Sequence, residues 1–192
     1  DEGYMSMDDS VYVSNFDAEK FEKFKLFEKD ILFVMVGATL GKVGRVTKNV
    51  LPALLNQNMW CIRAKNNLVD QDFLYYSFKQ NVTQIIGWAS GSARGFLRRD
   101  DCRNIPINLP LLKEQKAIAN ILGTLDEKIE LGFRTFKIKV GKDVSGDKKR
   151  VRVIQDTLGN RGTIRVDANR AYSAREAIDF GQVLDPDVCE LF

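Results

Sequence analysis

The spacing of apolar residues changes once along this chain, and that change limits what the chain can fold into more than any other feature does. Between residues 111 and 131, apolar residues recur at heptad spacing, which predicts one helix with a narrow apolar seam. From Gly132 onward, strand-like runs alternate with helical stretches of about a dozen residues. Such alternation is typical of parallel strands joined by crossover helices. The sequence therefore predicts two different architectures, with the boundary at residues 130–133.

The segment before the heptad helix has the pattern of a mixed α+β domain. Continuous apolar, β-branched character predicts a buried strand at 31–36, and two further strands are predicted at 42–47 and 56–64. Apolar stripes near helical spacing predict a short helix at 17–26 and a longer one at 72–86. This first segment lacks the regular strand–helix alternation of the last one.

The heptad seam can be interpreted in two ways. Gln115 interrupts it at one position, and the seam has fewer than three heptads, which is short for a coiled coil. A partner-binding helix and an ordinary amphipathic surface helix therefore explain the pattern equally well. The seam residues are Leu111, Ile118, Leu122, Leu125 and Ile129.

The last segment has room for a βαβαβ order. Strands are expected at 133–140, 163–166 and 188–192. Helices are expected between them, at 147–158 and 173–184. No linker rich in proline, glycine or serine separates this segment from the heptad helix.

Composition excludes several classes of site. The chain has no histidine, and its three cysteines, Cys61, Cys102 and Cys189, are far apart. Histidine-dependent triads and the usual zinc sites are therefore excluded, and scattered thiols favour a reducing cytoplasm. The longest uncharged, mostly apolar run, Ile31 to Gly41, has eleven residues, whereas a membrane span needs about 20. We expect a soluble, cytoplasmic protein with no membrane partner.

Charge is distributed unevenly, although the net charge is only +3. Residues 42–103 carry 10 Lys/Arg against 4 Asp/Glu, a net charge of +6. A local basic stretch is what a phosphate-contacting surface needs. A plain solvated face has the same composition, so the charge permits DNA binding without establishing it.

The stretch from Gly37 to Lys42 invites comparison with a phosphate-binding loop, but its spacing is wrong. Three residues separate the glycines instead of four, and Val43 stands where Ser or Thr would hold magnesium. A strand–turn–strand whose glycines permit positive φ explains the stretch better. Such a turn could also bring backbone close to DNA, with Lys42 on a phosphate.

Two clusters of polar side chains are candidates for base and phosphate contacts. Consecutive amides can read adenine, although turn chemistry is the favoured explanation for the first cluster. Arginine suits phosphate and guanine, yet Asp100 and Asp101 could pair with the second cluster on the surface. The first cluster is Asn56, Gln57 and Asn58, and the second is Arg94, Arg98, Arg99 and Arg103.

Six motifs in order resemble landmarks of type I restriction–modification specificity subunits. They are Asp30–Val34 followed by Gly37–Gly44, then Leu55–Asn58, Phe73–Tyr76, Gly91–Ala93, Ile105–Pro110, and Leu112–Ala119 with Leu122 and Leu125–Ile129. The match extends over about 100 residues and is specific. On this resemblance, we expect the chain to lack the family's first strands, the rest of its conserved helix and its second recognition domain.

This resemblance implies an α+β target-recognition domain at residues 1–110 that reads half of a bipartite site in double-stranded DNA. It implies a spacer helix at 111–131 that docks methyltransferase (modification) subunits and, through them, restriction subunits; a second specificity chain is another expected partner. DNA binding of this kind requires no cofactor. The expected DNA contacts are Lys42, Asn56, Gln57, Asn58, Arg94, Arg98, Arg99 and Arg103, and the seam is the expected partner surface.

Residues 132–192 resemble a different family, the mandelate racemase and muconate-lactonizing branch of the enolase superfamily. Lys137-Ile138-Lys139 is similar to its K-x-K strand end, and Asp167-Ala168-Asn169 is similar to its D-x-N strand end. The resemblance implies part of a TIM-type barrel in which Lys139 is the base, Lys137 assists, and Asp167 is one of three carboxylate ligands to magnesium. A whole barrel takes about 250 residues. We therefore expect no turnover, and magnesium only in a complete barrel.

Three hypotheses follow from these patterns. The first is a DNA-recognition subunit without catalytic activity of its own. The second is a magnesium-dependent lyase or racemase fragment that abstracts a proton next to a carboxylate. The third is a natural, engineered or artefactual fusion of two gene fragments, which explains the joint at Leu131–Gly132 and is compatible with the first.

Overall fold

The computed structural model describes residue 5 and residues 10–65, 67–90, 97–98, 100 and 103–191, without the side chains of 83–85, 88–90 and 191. The chain forms two compact units, Asp1–Ala119 and Asn120–Phe192. The division falls inside a helix, whereas the sequence pattern places the change at residues 130–133. Each unit has a mixed α/β architecture of its own.

The first unit contains a three-stranded antiparallel sheet. Its strands are β1 (Ile31–Val34), β2 (Val43–Arg45) and β3 (Met59–Ile62), in the order β2-β1-β3. Both neighbours of β1 run antiparallel to it. The central strand is the continuous apolar run of the sequence, and its first three residues are buried, as expected for a strand covered on both faces.

Helix α1 (Asn15–Lys20) is shorter than the sequence predicts. One helix was expected at 17–26, but α1 has six residues and a 3-10 turn follows at Glu22–Phe24. The chain then becomes extended, because the Leu26 amide donates to the Ala53 carbonyl at 2.9 Å. Pairing with a distant segment therefore overrides the local helical periodicity.

Helix α2 (Gln71–Ser90) packs on the sheet through aromatic side chains. The ring of Phe78 meets the ring of Phe33 edge to face, with 5.3 Å between centroids, and Trp60 lies 6.0 Å from Phe33. Both phenylalanines are buried. Aromatic pairs of this geometry contribute about 0.5–1.5 kcal/mol beyond the burial of their area.

Helix α3 (Leu112–Glu130) is shared by the two units. In its first half, Gln115 is 1% exposed. Its side-chain amide donates to the carbonyls of Leu68 and Pro110, and its side-chain oxygen accepts from the Asp70 amide, all at 2.9 Å. The residue that interrupts the heptad seam is therefore a buried hydrogen-bonding centre of the first unit.

The second unit alternates strand and helix after α3. Its elements are β4 (Thr135–Lys139), α4 (Val144–Leu158), β5 (Thr163–Asp167), α5 (Ala174–Gly181) and β6 (Cys189–Leu191). The strands are parallel in the order β4-β5-β6, which follows the alternation seen in the sequence. Helix α4 begins earlier than expected because the Asp143 carboxylate caps it by accepting the Gly146 amide.

The core of the second unit includes the end of α3. Leu125 and Ile129 are each 7% exposed and share one apolar cluster with Val151, Leu158 and Phe180. These two seam residues therefore stabilise the α/β unit that follows them. Within the described part of the chain, no helix is both long and apolar enough to cross a membrane.

Candidate DNA-binding site and the second polar site

The turn between β1 and β2 carries the first candidate DNA contact. The Gly41 amide donates to the Val34 carbonyl, and the Val34 amide donates to the Lys42 carbonyl, both at 2.9 Å. Gly37 and Gly41 have φ angles of +91° and +89°, which favour glycine. The stretch is therefore a closed strand–turn–strand, as predicted, and the Lys42 side chain is exposed.

The turn before β3 lies at the same end of the sheet. The Met35 amide, just after β1, donates to the Asn58 carbonyl at 3.2 Å. The Asn56 side-chain oxygen accepts the Asn58 amide at 2.9 Å, which is the turn chemistry that the sequence favoured. Gln57 and Asn58 are exposed.

A third segment reaches this end of the sheet. The Leu97 amide donates to the Met35 carbonyl at 3.0 Å, and the next residue, Arg98, is exposed. We call the group formed by Lys42, the turn 56–58 and Arg98 the Lys42 end. Residues far apart in the sequence meet here because the register of the three strands aligns their ends.

Arg103 lies along an apolar groove that the Lys42 end borders. The groove has a volume of about 980 Å³, and Arg103, Asn56 and Gln57 are among the residues that line it. The Arg103 guanidinium lies 3.3 Å from the Asp100 carboxylate, and both side chains are largely exposed. Such a pair contributes at most about 1 kcal/mol, so Arg103 can still contact a phosphate. Outside the described residues lie Arg94, Arg99 and the motif 91–93.

The opposite end of the sheet is held by a buried carboxylate that the sequence analysis missed. Asp30 is 3% exposed and accepts two hydrogen bonds of 2.5 Å from Arg63 and one of 2.7 Å from the Phe27 amide. Burial raises the pKa of Asp30, but the bonds from Arg63 and Phe27 outweigh it and hold that pKa below its ordinary value. The sequence did contain a signal for this pair: Asp30 directly precedes β1, and Arg63 directly follows β3, the antiparallel partner of β1.

The fold divides the predicted partner seam. Leu111 is 77% exposed and Ile118 is half-buried, whereas Leu122, Leu125 and Ile129 are at most 7% exposed. The last two lie in the core cluster of the second unit. The accessible part of the seam in this chain is therefore its beginning.

An ion pair fixes the same end of α3. The Arg161 guanidinium lies 2.8 Å from the Asp126 carboxylate, and the two side chains are 11% and 8% exposed. Arg134 also donates to the Ile129 carbonyl at 2.7 Å. Breaking a buried pair by removing one partner costs about 3–5 kcal/mol. The C-terminal half of α3 is thus a structural element of the second unit.

One face of the second sheet carries the K-x-K and D-x-N residues. Lys137 Nζ lies 2.8 Å from the Asp167 carboxylate, and Lys139, the register partner of Asp167, is exposed. Hydrogen bonds from Lys137 and from the Asn169 amide lower the pKa of Asp167 below its ordinary value. The strand ends therefore bring together the residues that the enolase-superfamily resemblance singles out.

These residues do not fit the magnesium site that the resemblance implies. Glu190, a further carboxylate in the same sheet, is bound to Thr163 and Arg165, the latter at 2.8 Å. In the described ranges, no group of three or more Asp, Glu, His or Cys side chains could hold a metal ion. No metal-dependent step can be assigned to them.

A buried carboxylate ties together the loops that follow β4 and β5. Asp147 is 4% exposed and accepts from the Gly141 amide at 2.7 Å and the Tyr172 hydroxyl at 2.8 Å. Burial raises the pKa of Asp147, but its hydrogen bonds outweigh burial and hold that pKa below the ordinary value. Burial, with the bond to Asp147, raises the pKa of Tyr172 to about 12. Arg150 pairs with Asp147 and donates to the Lys139 carbonyl at 2.6 Å, which anchors the end of β4.

Comparison with known families finds two matches along the chain. The family described as Type I restriction modification DNA specificity domain matches residues 4–135. The family described as Enolase C-terminal domain-like matches residues 122–191. Both resemblances noted in the sequence are thereby confirmed, and the two matches overlap at residues 122–135, which include the end of α3.

The individual relatives also fall into two groups, a restriction specificity subunit and epimerases. The type I restriction enzyme MjaVIII specificity subunit of Methanocaldococcus jannaschii is 29% identical over 142 residues, which are 68% of this chain and 32% of that protein. The hydrophobic dipeptide epimerase of Enterococcus faecalis is 37% identical over 78 residues, which are 41% of this chain and 20% of that enzyme. The L-Ala-D/L-Glu epimerase of Clostridium acetobutylicum is 42% identical over 52 residues, which are 27% of this chain and 14% of that enzyme.

The chain thus spans about a third or less of the length of these relatives. A solved type I restriction–modification S subunit from M. genitalium superposes with a TM-score of 0.48 and 22% identity, over 73% of this chain and 34% of that one. Because the specificity-domain match, residues 4–135, extends over more than half of the 192 residues, the protein belongs to the type I restriction modification DNA specificity domain family.

Proposed function

We propose that this protein provides sequence-specific recognition of double-stranded DNA, as the specificity subunit, or part of it, of a type I restriction–modification complex. The family of the first unit supports this role, and so does the resemblance to the MjaVIII specificity subunit. In this role the protein requires no cofactor, has no catalytic activity of its own and acts in the cytoplasm.

The Lys42 end is the observation that carries the proposal. Lys42 and Arg98, whose positive charges suit phosphates, lie at the same end of the sheet as Gln57 and Asn58, whose amide side chains are exposed. The side-chain oxygen of Asn56 is committed to the turn. We therefore assign base contacts to Gln57 and Asn58, and a positioning role to Asn56.

DNA binding can be tested by removing two charges from this region. The wild-type chain would first enrich its target from a pool of random duplexes, and Lys42→Ala with Arg103→Ala would then be compared on that target. Loss of two phosphate contacts should weaken binding and reduce the slope of log K against log salt by about 1.8. Arg98→Ala with Arg99→Ala should act in the same direction.

A matched control removes two exposed lysines at the other end of the sheet, Lys48 and Lys65. Their replacement by alanine changes the net charge equally and should leave the salt slope nearly intact. An unchanged affinity and slope in the folded Lys42→Ala, Arg103→Ala variant would remove these side chains from the site.

We also propose that α3 docks methyltransferase subunits, and through them restriction subunits, or a second specificity chain. Leu111 and Ile118 supply the accessible contacts, whereas docking on Leu125 and Ile129 would require the core of the second unit to open. Ile118→Asp should therefore reduce co-purification with the methyltransferase. Asn120→Asp adds the same charge at an exposed position and is the control; equal co-purification of both folded variants would contradict the proposal.

A second candidate function is proton abstraction next to a carboxylate, as in a magnesium-dependent lyase or racemase of the enolase superfamily. The contact of 2.8 Å between Lys137 and Asp167, with Lys139 beside it, favours this candidate. The incomplete carboxylate set opposes it, so we propose that the segment is inactive. Calorimetric titration with magnesium tests this: sub-millimolar binding that Asp167→Ala abolishes would restore the enzyme hypothesis.

We propose, finally, that the two family segments are fused at Leu131–Gly132. The overlap of the two family matches, residues 122–135, includes this position and supports the joint. Independent sequencing of the coding DNA across Leu131–Gly132 would test whether the joint is natural. A discontinuity there would identify it as an artefact.

A further inference from the structure

In the part of the chain that the structure describes, the outer edge of β3 is unpaired. Among the strands that the structure describes, β3 pairs with β1 alone. The Met35 amide bonds to the Asn58 carbonyl, and because hydrogen-bonded pairs alternate along an antiparallel ladder, Trp60 and Ile62 direct their backbone groups to β1. The amide and carbonyl of Cys61 therefore point to the outer edge, where a further strand would pair.

An apolar groove follows this open edge. Its volume is about 980 Å³, and all four residues of β3 line it. Phe21 and Phe24, which follow α1, and Leu74 and Phe78 of α2 supply further apolar lining. An apolar groove beside an unpaired strand edge fits an extended segment with apolar side chains.

The segment that precedes α1 has the properties of such a strand. Its sequence, Ser-Val-Tyr-Val-Ser at residues 10–14, is rich in β-branched and aromatic residues, which favour strands. Ser14 has extended angles, with φ −64° and ψ 152°. Val11 and Tyr12 are 92% and 82% exposed, whereas Val13 already lines the groove.

We propose that Val11–Val13 docks on β3 as a fourth strand of the first sheet and closes the groove. Residues 10–14 span about 16 Å when extended and the four residues of β3 about 13 Å, so the two segments match in length. Alternation places Val11 on the same face as Val13, toward the groove, and Tyr12 on the other face.

The docking is intramolecular. Helix α1 begins at Asn15, two residues after Val13, and Phe21 lies in the lining of the same groove. This short tether holds the segment beside its site at a high effective concentration. Asn56 and Gln57 border the groove too, so the docked strand would steady the turn at the Lys42 end. The interaction itself does not depend on DNA binding.

Cysteine cross-linking in the full chain tests the proposal, with Cys61 as the reporter. In a background of Cys102→Ala and Cys189→Ala, the variants Val11→Cys, Tyr12→Cys and Val13→Cys would each be oxidised with copper phenanthroline. A docked strand brings one of the three to a Cβ–Cβ distance of about 5 Å from Cys61, close enough for a disulfide after a small adjustment, so at least one should form an intramolecular disulfide roughly tenfold faster than Phe16→Cys. Phe16 is the control because it is 69% exposed and lies in α1.

Two cross-linking results would overturn the proposal. Disulfides between chains, seen as dimers on non-reducing gels, would show that the segment docks on β3 of another copy and not on its own. Rates no faster than that of Phe16→Cys in all three variants would exclude docking. Hydrogen exchange on the unmodified chain gives an independent measure: the Cys61 amide and at least one amide of Val11–Val13 should be protected, and rapid exchange of all of them would contradict the proposal.

Discussion

Replacing Gln115 with alanine should destabilise the first unit by about 3 kcal/mol. The side chain is 1% exposed and makes three hydrogen bonds of 2.9 Å, to the Leu68 and Pro110 carbonyls and from the Asp70 amide. A hydrogen bond of this kind contributes about 1 kcal/mol net. The three bonds together give the expected loss, since alanine reaches none of the three backbone groups.

Tryptophan fluorescence reports this effect selectively, because both tryptophans, Trp60 and Trp88, lie in the first unit. With a urea dependence of about 1.5 kcal/mol per molar, the midpoint of unfolding should fall by about 2 M. Lys116→Ala, at the exposed neighbouring position, is the matched control and should shift the midpoint by no more than about 0.3 M. Equal midpoints for the two variants would refute the role assigned to Gln115.

Three further tests concern packing at a turn, a buried charge and the relative stability of the two sheets. Gly41→Ala should lower the urea midpoint of the first unit more than Gly37→Ala, because both glycines have positive φ but a Cβ at Gly41 alone would overlap the Ile86 side chain; equal midpoints would contradict this. The folded-state pKa of Asp30 lies below its ordinary value of 3.8, so its stabilisation is present above that value and is lost as the pH falls through the folded pKa. The first unit should therefore lose stability below about pH 4, and Asp30→Asn should flatten that loss in thermal melts. Hydrogen exchange should be faster in β4 and β5 than in β1, because alternate side chains of β4 and β5 are exposed or only half-buried, whereas β1 is paired on both sides and its first three residues are buried; equal protection would show that the second unit is as stable as the first.

Short stretches of sequence predicted one strand and two turns correctly. The strand at Ile31–Val34 follows from a continuous apolar run, and the turn at Gly37–Gly41 follows from glycines that tolerate positive φ. The Asn56 turn follows from a side chain that bonds to a backbone amide two residues away. Each of these features leaves its signal within one short segment, which is why the sequence alone predicts it.

Contacts between distant segments could not be predicted in the same way. Asp30 and Arg63 are 33 residues apart, and Gln115 reaches Leu68 across 47 residues, so neither pairing leaves a periodic signal. The gathering of side chains at the Lys42 end depends on strand register for the same reason. Periodicity also identified the apolar face of α3 without identifying what covers it, and the end of that face proved to be core of the second unit.

The polar face of the second sheet bears on how such a segment could pass between genes. Thr135, Lys137 and Lys139 of β4 are exposed, as is Arg165 of β5, which pairs with Glu190 at 2.8 Å. A closed barrel would enclose this face, and a segment excised from one would uncover it. Because this face is hydrophilic and internally paired, it presents little apolar surface to water. Recombination could transfer a segment of this composition to another protein without adding a large exposed apolar patch that promotes aggregation.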